Sequence, residues 1–228
     1  MKKLLIIFGS LFMFAWASFA RGGAKFKPIV IADQGSFTAG GKSVTHTGEF
    51  NPTDDIWNPE GQTAYGDNAF VFYQIPKKAK KLPLVFWHGG GQSMKTWETT
   101  CDGREGFQTI FLRRHFKVYL VDQPRRGQAG FSTVPADAPL QPLYIDKTMF
   151  TLFRLGYWPN YYEGVQFPRS KEALEQFHRQ GTPNTAPLDF TVLADAGAAL
   201  FEKIGDGILV THSQGGTVGW KTRYGAIR

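Results

Sequence analysis

Ser213 follows a short apolar run at residues 208–211 and precedes Gln214-Gly215-Gly216. A serine set on a sharp strand-to-helix turn has its hydroxyl lifted clear of the sheet, and that turn admits only small residues two positions to either side. Thr211 takes the first of these positions and Gly215 the second, with His212 between strand and serine. Threonine is a departure from glycine there. The N–H of Gln214, at the start of the next helix, can face an oxyanion developing on an attacked carbonyl. A second donor loop follows an earlier apolar run: residues 82–87 lead into His88-Gly89-Gly90-Gly91. Without side chains in the way, the backbone N–H groups of Gly90 and Gly91 can approach a substrate oxygen. A nucleophile with two sources of oxyanion donors is equipment for acyl transfer.

The elements that must hold these loops alternate in type. Residues 29–32 and 36–38 are β-prone pieces before Gly40-Gly41, and residues 69–75 read as a strand closed by Pro76 and a lysine turn. Asp102 followed by Glu105 is a capping-box pattern, and Phe107, Ile110, Phe111 and Arg114 repeat at helical spacing behind it, to about His115. Residues 118–121 are a buried-type strand ending at Asp122. Asp189 caps a helix carrying Phe190, Leu193, Ala196, Leu200 and Ile204, with Gly205 as its stop. Strand, helix, strand in this order predicts an α/β fold with a mostly parallel sheet flanked by helices.

Residues 133–187 break the rhythm with prolines and aromatics, and read as an inserted cap. Helices are expected at about 149–155, stopped by Gly156, and at 170–180, stopped by Gly181. The rings of Tyr157, Trp158, Tyr161, Tyr162 and Phe167 are either the core of that insertion or an apolar lining over a pocket.

Four stretches together resemble the α/β-hydrolase fold, and in particular its secreted bacterial esterases. They are Val85-Phe86-Trp87-His88-Gly89-Gly90-Gly91; Trp97-Glu98-Thr99-Thr100 with Asp102-Gly103-Arg104; Val121-Asp122-Gln123 with Arg126-Gly127; and His212-Ser213-Gln214-Gly215. The resemblance implies Ser213 as nucleophile, Gln214 and the loop near Gly90 as oxyanion donors, and a cap before the elbow helix. It also implies a carboxylic ester as substrate, and the cap's aromatic content points to one with an apolar group. The turn itself does not encode the leaving group, so an amide or lactone is a weaker option.

In that family the acid and histidine follow the serine. Residues 214–228 hold no Asp, Glu or His. The five histidines, His46, His88, His115, His178 and His212, all precede Ser213 and none is expected to be its general base. His46 and His178 read as surface positions, and the ring of His212 is expected to point away. The expectation is a partial hydrolase domain over residues 21–228, lacking the last strands, acid and histidine and inactive as it stands. The alternative is a non-catalytic relic or ligand-binding remnant of a hydrolase.

Composition bounds the rest. The chain has 228 residues, 42% hydrophobic and 20% charged, enough for a packed core and unlike a disordered chain. Met1-Lys2-Lys3, an apolar run to Trp16 and small residues at Ser18 and Ala20 read as a signal peptide over residues 1–20. The run is short for a span and no stable membrane anchor is expected after cleavage. The protein is then exported, to a periplasm or the exterior. Loss of Lys2 and Lys3 takes the formal charge from +7 to +5. The remaining cations, Arg125 and Arg126 among them, are scattered without a reading motif, as on a solvated surface, so nucleic acid is not expected as a partner. Cys101 has no internal partner. No metal-ligand spacing occurs, and the triple glycine lacks the lysine or spaced glycines of a phosphate cradle, so neither metal nor cofactor is expected.

Overall fold

The computed structural model describes residues 27–134 and 145–225. The leader, part of the insertion and residues 226–228 lie outside them.

A mixed five-stranded sheet carries the fold. β1 (Ile31–Thr45) pairs antiparallel with β2 (Thr63–Pro76), and β2 pairs antiparallel with β4 (Val118–Asp122). β3 (Leu84–Trp87) then runs parallel to β4 on one side and to β7 (Ile208–Thr211) on the other, giving the order β1-β2-β4-β3-β7. The parallel part is the portion that alternation with helices foretells. The two β-prone pieces expected near the start are instead one strand of 15 residues. Gly40 and Gly41 both have positive φ, yet pairing with β2 continues through Gly40 and resumes at Lys42. A Cβ on Gly40 would stand 2.8 Å from the Ala196 Cα, so the glycine allows a helix to settle directly on the strand.

β3 is buried along its whole length, and its side chains divide between two cores by their alternation. Val85 and Trp87 face a cluster with Val71, Val121, Leu193, Ala196, Leu200 and Val218. Leu84 and Phe86 face the other side with Trp97, Leu112, Val118 and Leu120. Each such fully buried side chain contributes about 1.5–3 kcal/mol from apolar burial. The first core is closed by α4 (Phe190–Ile204) and α5 (Gly215–Gly225), the second by α1 (Phe107–Arg113). α4 starts as its sequence requires, with the Asp189 carboxylate accepting from the N–H groups of Thr191 and Val192, and Gly205 ends it.

The capping box expected before α1 does not form. Gly106 is the N-cap and supplies no side chain; Asp102 accepts from Thr100 Oγ1 and Arg104, and Glu105 pairs with Arg113. Gly106 lies so close to the Glu98 carbonyl that no Cβ fits there, and as N-cap it starts the helix four residues later than a cap at Asp102 implies.

Between β4 and α4 the chain forms α2 (Asp146–Leu152), a small hairpin of β5 (Gly156–Tyr157) and β6 (Asn160–Tyr161), and α3 (Lys171–Arg179). α2 begins and ends earlier than the apolar spacing implies, whereas α3 lies within the expected 170–180, with the Ser170 hydroxyl as its cap.

Candidate active site

The parallel register of β3 and β7 assembles the site. Trp87 pairs with Thr211, so the residues leaving the two strands run side by side, His88 beside His212 and Gly89 beside Ser213. Both loops leave the carboxyl ends of adjacent parallel strands, the end of an α/β sheet where ligands bind.

Ser213 is exposed and has φ of 52°, a left-handed conformation that non-glycine residues seldom adopt. The turn is braced by hydrogen bonds from Gly215 N to His212 O and from Gly216 N to Ser213 O, each 2.9 Å. Gly215 must be glycine, because a Cβ would stand 2.7 Å from the His88 carbonyl oxygen. Thr211, the departure from the small-residue pattern, is accommodated from the other side. A Cβ on Gly219, one turn along α5, would lie 3.0 Å from Thr211 Cγ2, so a second glycine leaves room for the threonine methyl.

The glycine loop meets the serine at Gly89. A Cβ there would stand 3.1 Å from Ser213 Cβ and 3.0 Å from His212 Nδ1. The His212 ring therefore lies against the loop rather than pointing away from it. Gly90 stands next to the Gln214 side chain, its Cβ position 3.3 Å from Nε2. Among the described residues no hydrogen bond engages the backbone N–H of Gly90 or of Gln214. The carbonyl of Gly91 accepts from Thr182 N at 2.9 Å, tying the loop to the segment that follows α3.

His88 is fully buried and is a brace. Its Nδ1 lies 2.9 Å from Gly89 O and its Nε2 accepts from Gln123 N at 3.3 Å, which fixes the proton on Nδ1. Burial pushes its pKa down, the Gly89 bond opposes this and the Arg126 charge adds to it, leaving about 3. The ring is neutral, so its 3.8 Å approach to Asp122 Oδ1 is no ion pair. Asp122 accepts from Met94 N at 2.7 Å and Gln128 N at 3.0 Å and so joins the loops after β3 and β4. Burial pushes its carboxyl above the usual range against those two bonds.

Arg125 and Arg126 are not surface cations. Both are buried. Arg125 holds Asp67 through Nε at 2.8 Å and Nη2 at 3.1 Å, and donates to Pro187 O at 2.6 Å. Burial pushes the Asp67 carboxyl up, but hydrogen bonds from Arg125 and Thr133 and the Arg125 charge outweigh it and hold the pKa at about 2. Arg126 donates from Nη1 to Gly89 O at 3.0 Å and from Nη2 to Asn184 Oδ1. The partners lie far apart in sequence, and no local pattern marks them.

The other candidates stand elsewhere. His46 and His115 are exposed, whereas His178, read as a surface residue, has both ring nitrogens buried. Burial and the Asp102 charge push the Cys101 thiol up, away from reactivity. Phe150, Trp158, Tyr161, Phe167 and Phe177 pack ring on ring, but of these only Phe150 is buried, and Trp158 is exposed, as are Tyr157 and Tyr162. A cavity of about 600 Å³ lined by Lys27, Ile29, Lys77, Leu112 and His115 opens at the opposite end of the strands from Ser213. Among the described residues no group of His, Cys, Asp or Glu could hold a metal ion, and no helix is long and apolar enough to cross a membrane.

Residues 84–227 match the Alpha/beta hydrolase family. The chain is similar to the protein named probable secreted lipase phiG (Fungal sp., strain ATCC 74256), with 30% identity over 165 residues that cover 67% of this chain and 44% of the lipase. It is also similar to a bacterial esterase of known structure, with a TM-score of 0.74 and 29% identity over 89% of this chain and 67% of the esterase. The chain thus spans less than half the length of the curated relative it matches. Family match, strand order and the paired loops agree: the chain belongs to the alpha/beta hydrolase family.

Proposed function

We propose that the protein is an exported serine hydrolase of carboxylic esters, with Ser213 as its nucleophile. The observation that carries this is the contact between Gly89 and Ser213, made by two loops leaving adjacent parallel strands. Ser213 Oγ attacks the ester carbonyl, and its proton passes to a general base. The carbonyl oxygen takes up the negative charge and is held by the N–H groups of Gly90 and Gln214, with Gly91 next in the same loop. Collapse of the tetrahedral adduct breaks the bond to the alcohol, which leaves with the proton, and water then hydrolyses the acyl-enzyme by the reverse steps.

In the family's chain order the acid and the histidine follow the serine. Residues 214–228 hold neither, so neither partner of Ser213 is assigned to a residue of this chain. Export is supported by the leader pattern at residues 1–20 and by a relative whose name includes "secreted". The esterase and lipase names support an ester substrate, and an apolar acyl or alcohol group is proposed with it.

The alternative is a hydrolase remnant that binds ligand without turnover. Hydrolysis of p-nitrophenyl esters of increasing acyl length by the full-length protein, beside Ser213→Ala, separates the two. Serine-dependent turnover is expected. Turnover equal in the variant, or none in either, removes the esterase assignment.

A further inference from the structure

We propose that Arg126 is a positioning residue for the oxyanion-binding peptide, holding the Gly89 carbonyl inward so that the Gly90 N–H points at the reacting carbonyl, and that Asn184 holds Arg126 in place. This rests on the proposal that Ser213 is the nucleophile.

The geometry follows from the planarity of the peptide bond. The Gly89-Gly90 bond is trans, so the N–H of Gly90 is directed opposite to the C=O of Gly89. That carbonyl is bonded by Arg126 Nη1 at 3.0 Å and His88 Nδ1 at 2.9 Å, from side chains that are both buried. The Gly90 N–H is thereby turned outward. Ser213 lies beside Gly89, and the Gln214 side chain beside Gly90.

Glycine makes such a clamp necessary. His88 is followed by three consecutive glycines, and a peptide plane between residues lacking Cβ rotates with little steric resistance. A rotated Gly89-Gly90 plane would aim a carbonyl oxygen at the oxyanion instead of an N–H, replacing attraction with repulsion. Of the two donors on Gly89 O, the imidazole belongs to the adjacent residue and follows the loop when it moves. The guanidinium comes from the loop after β4, and its permanent charge makes the stronger bond.

Arg126 is itself fixed from a third direction. Its Nη2 bonds Asn184 Oδ1, and its backbone forms an isolated bridge with Asn184. One guanidinium therefore connects the segment that returns from α3 to the peptide beside the nucleophile. Arg125 supplies the control. It is also buried and bonds the same returning segment at Pro187 O, but among the described residues its guanidinium donates to Asp67 and Pro187 and not to the glycine loop.

The test compares Arg126→Ala, Arg126→Lys, Asn184→Ala and Arg125→Lys in the full-length protein with a p-nitrophenyl ester, alongside Ser213→Ala. Arg126→Ala is expected to lower kcat about 10- to 100-fold with KM changed less than about threefold, below the roughly 100- to 1,000-fold lost when an oxyanion donor is removed outright, because the N–H is misaimed rather than absent. Added methylguanidinium restores part of that kcat, Arg126→Lys falls between, and Asn184→Ala loses about 3- to 10-fold on the same grounds. Arg125→Lys loses stability with little change in kcat. Equal kcat losses in the Arg125 and Arg126 variants, or kcat within about twofold of the parent in Arg126→Ala, overturn the assignment while leaving Ser213 dependence intact. Independently of turnover, 15N-glycine spectra of Ser213→Ala are expected to give one Gly90 amide resonance that broadens or doubles when Arg126→Lys is added. An unchanged resonance overturns the clamp.

Discussion

Gly89 and Ser213 touch across the gap between two parallel strands: a Cβ on the glycine would stand 3.1 Å from the serine Cβ. The contact follows from the pairing of Trp87 with Thr211 two residues earlier on each strand.

Gly89→Ala therefore moves the nucleophile. The added methyl also meets His212 Nδ1 at 3.0 Å and Gln92 Oε1 at 3.2 Å, so the elbow must shift by a few tenths of an ångström. A loss of about tenfold or more in kcat/KM of the full-length protein is expected, since small misplacements of reacting groups cost that much. The thermal midpoint should fall by only a few degrees, and steady-state kinetics beside a thermal melt check both halves.

The two glycines after Gln214 differ in need. An alanine at 215 would place its Cβ 2.7 Å from the His88 carbonyl oxygen, and one at 216 has nothing within 4 Å. Gly215→Ala is expected to destabilise by about 1–3 kcal/mol through overpacking. Gly216→Ala, inside α5, should be neutral to about 1 kcal/mol stabilising, from helix propensity. Urea denaturation of the two variants gives the comparison directly.

That pair also marks what can be read from sequence. Gly215 was recognisable because the turn imposes a local rule, β3 and β7 from short apolar runs, although β7 is only partly buried, and α3 and α4 from stops and caps confined to a few residues. Where the rule was local but the geometry was not, the sequence misled: Asp102 and Glu105 match a capping box, yet bond Thr100, Arg104 and Arg113. The single long β1 was hidden by Gly40-Gly41, which read as a turn but serve the approach of Ala196. Nothing local distinguishes a buried arginine from a surface one. Arg125 and Asp67 are 58 residues apart, as are Arg126 and Asn184, and only the folded sheet brings either pair together.

Asp67 and Arg125 form a buried ion pair whose members depend on each other. Breaking it from one side leaves a charge without its partner, so Asp67→Asn or Arg125→Met should each cost about 3–5 kcal/mol, with a double variant costing less than their sum. Because the Asp67 pKa is held at about 2, below its unfolded value, its contribution is present at neutral pH and is lost as pH falls below about 4 towards 2. A double-mutant cycle by urea denaturation at pH 7 measures the coupling.

His88 is buried neutral with a pKa of about 3, below its unfolded value of about 6.5. Between these values the unfolded chain binds a proton that the folded chain refuses, so stability falls on acidification from pH 6.5 towards 3, by up to about 1.4 kcal/mol per pH unit. Asp122, whose pKa is raised, works in the opposite sense, losing its contribution as pH rises through that value. The difference between parent and His88→Gln isolates the histidine: the urea midpoint of the parent should drop more steeply between pH 6.5 and 4.5. Parallel pH dependences would mean that His88 is not buried as a neutral ring.

The nucleophile itself is the most direct point of attack. The full-length protein is treated with a fluorophosphonate and digested, and the peptide containing residues 208–221 is examined by mass spectrometry. A phosphonyl adduct on Ser213, absent from Ser213→Ala, is the result expected of an activated serine. An unmodified Ser213 in a protein that still hydrolyses esters would contradict the account at its centre.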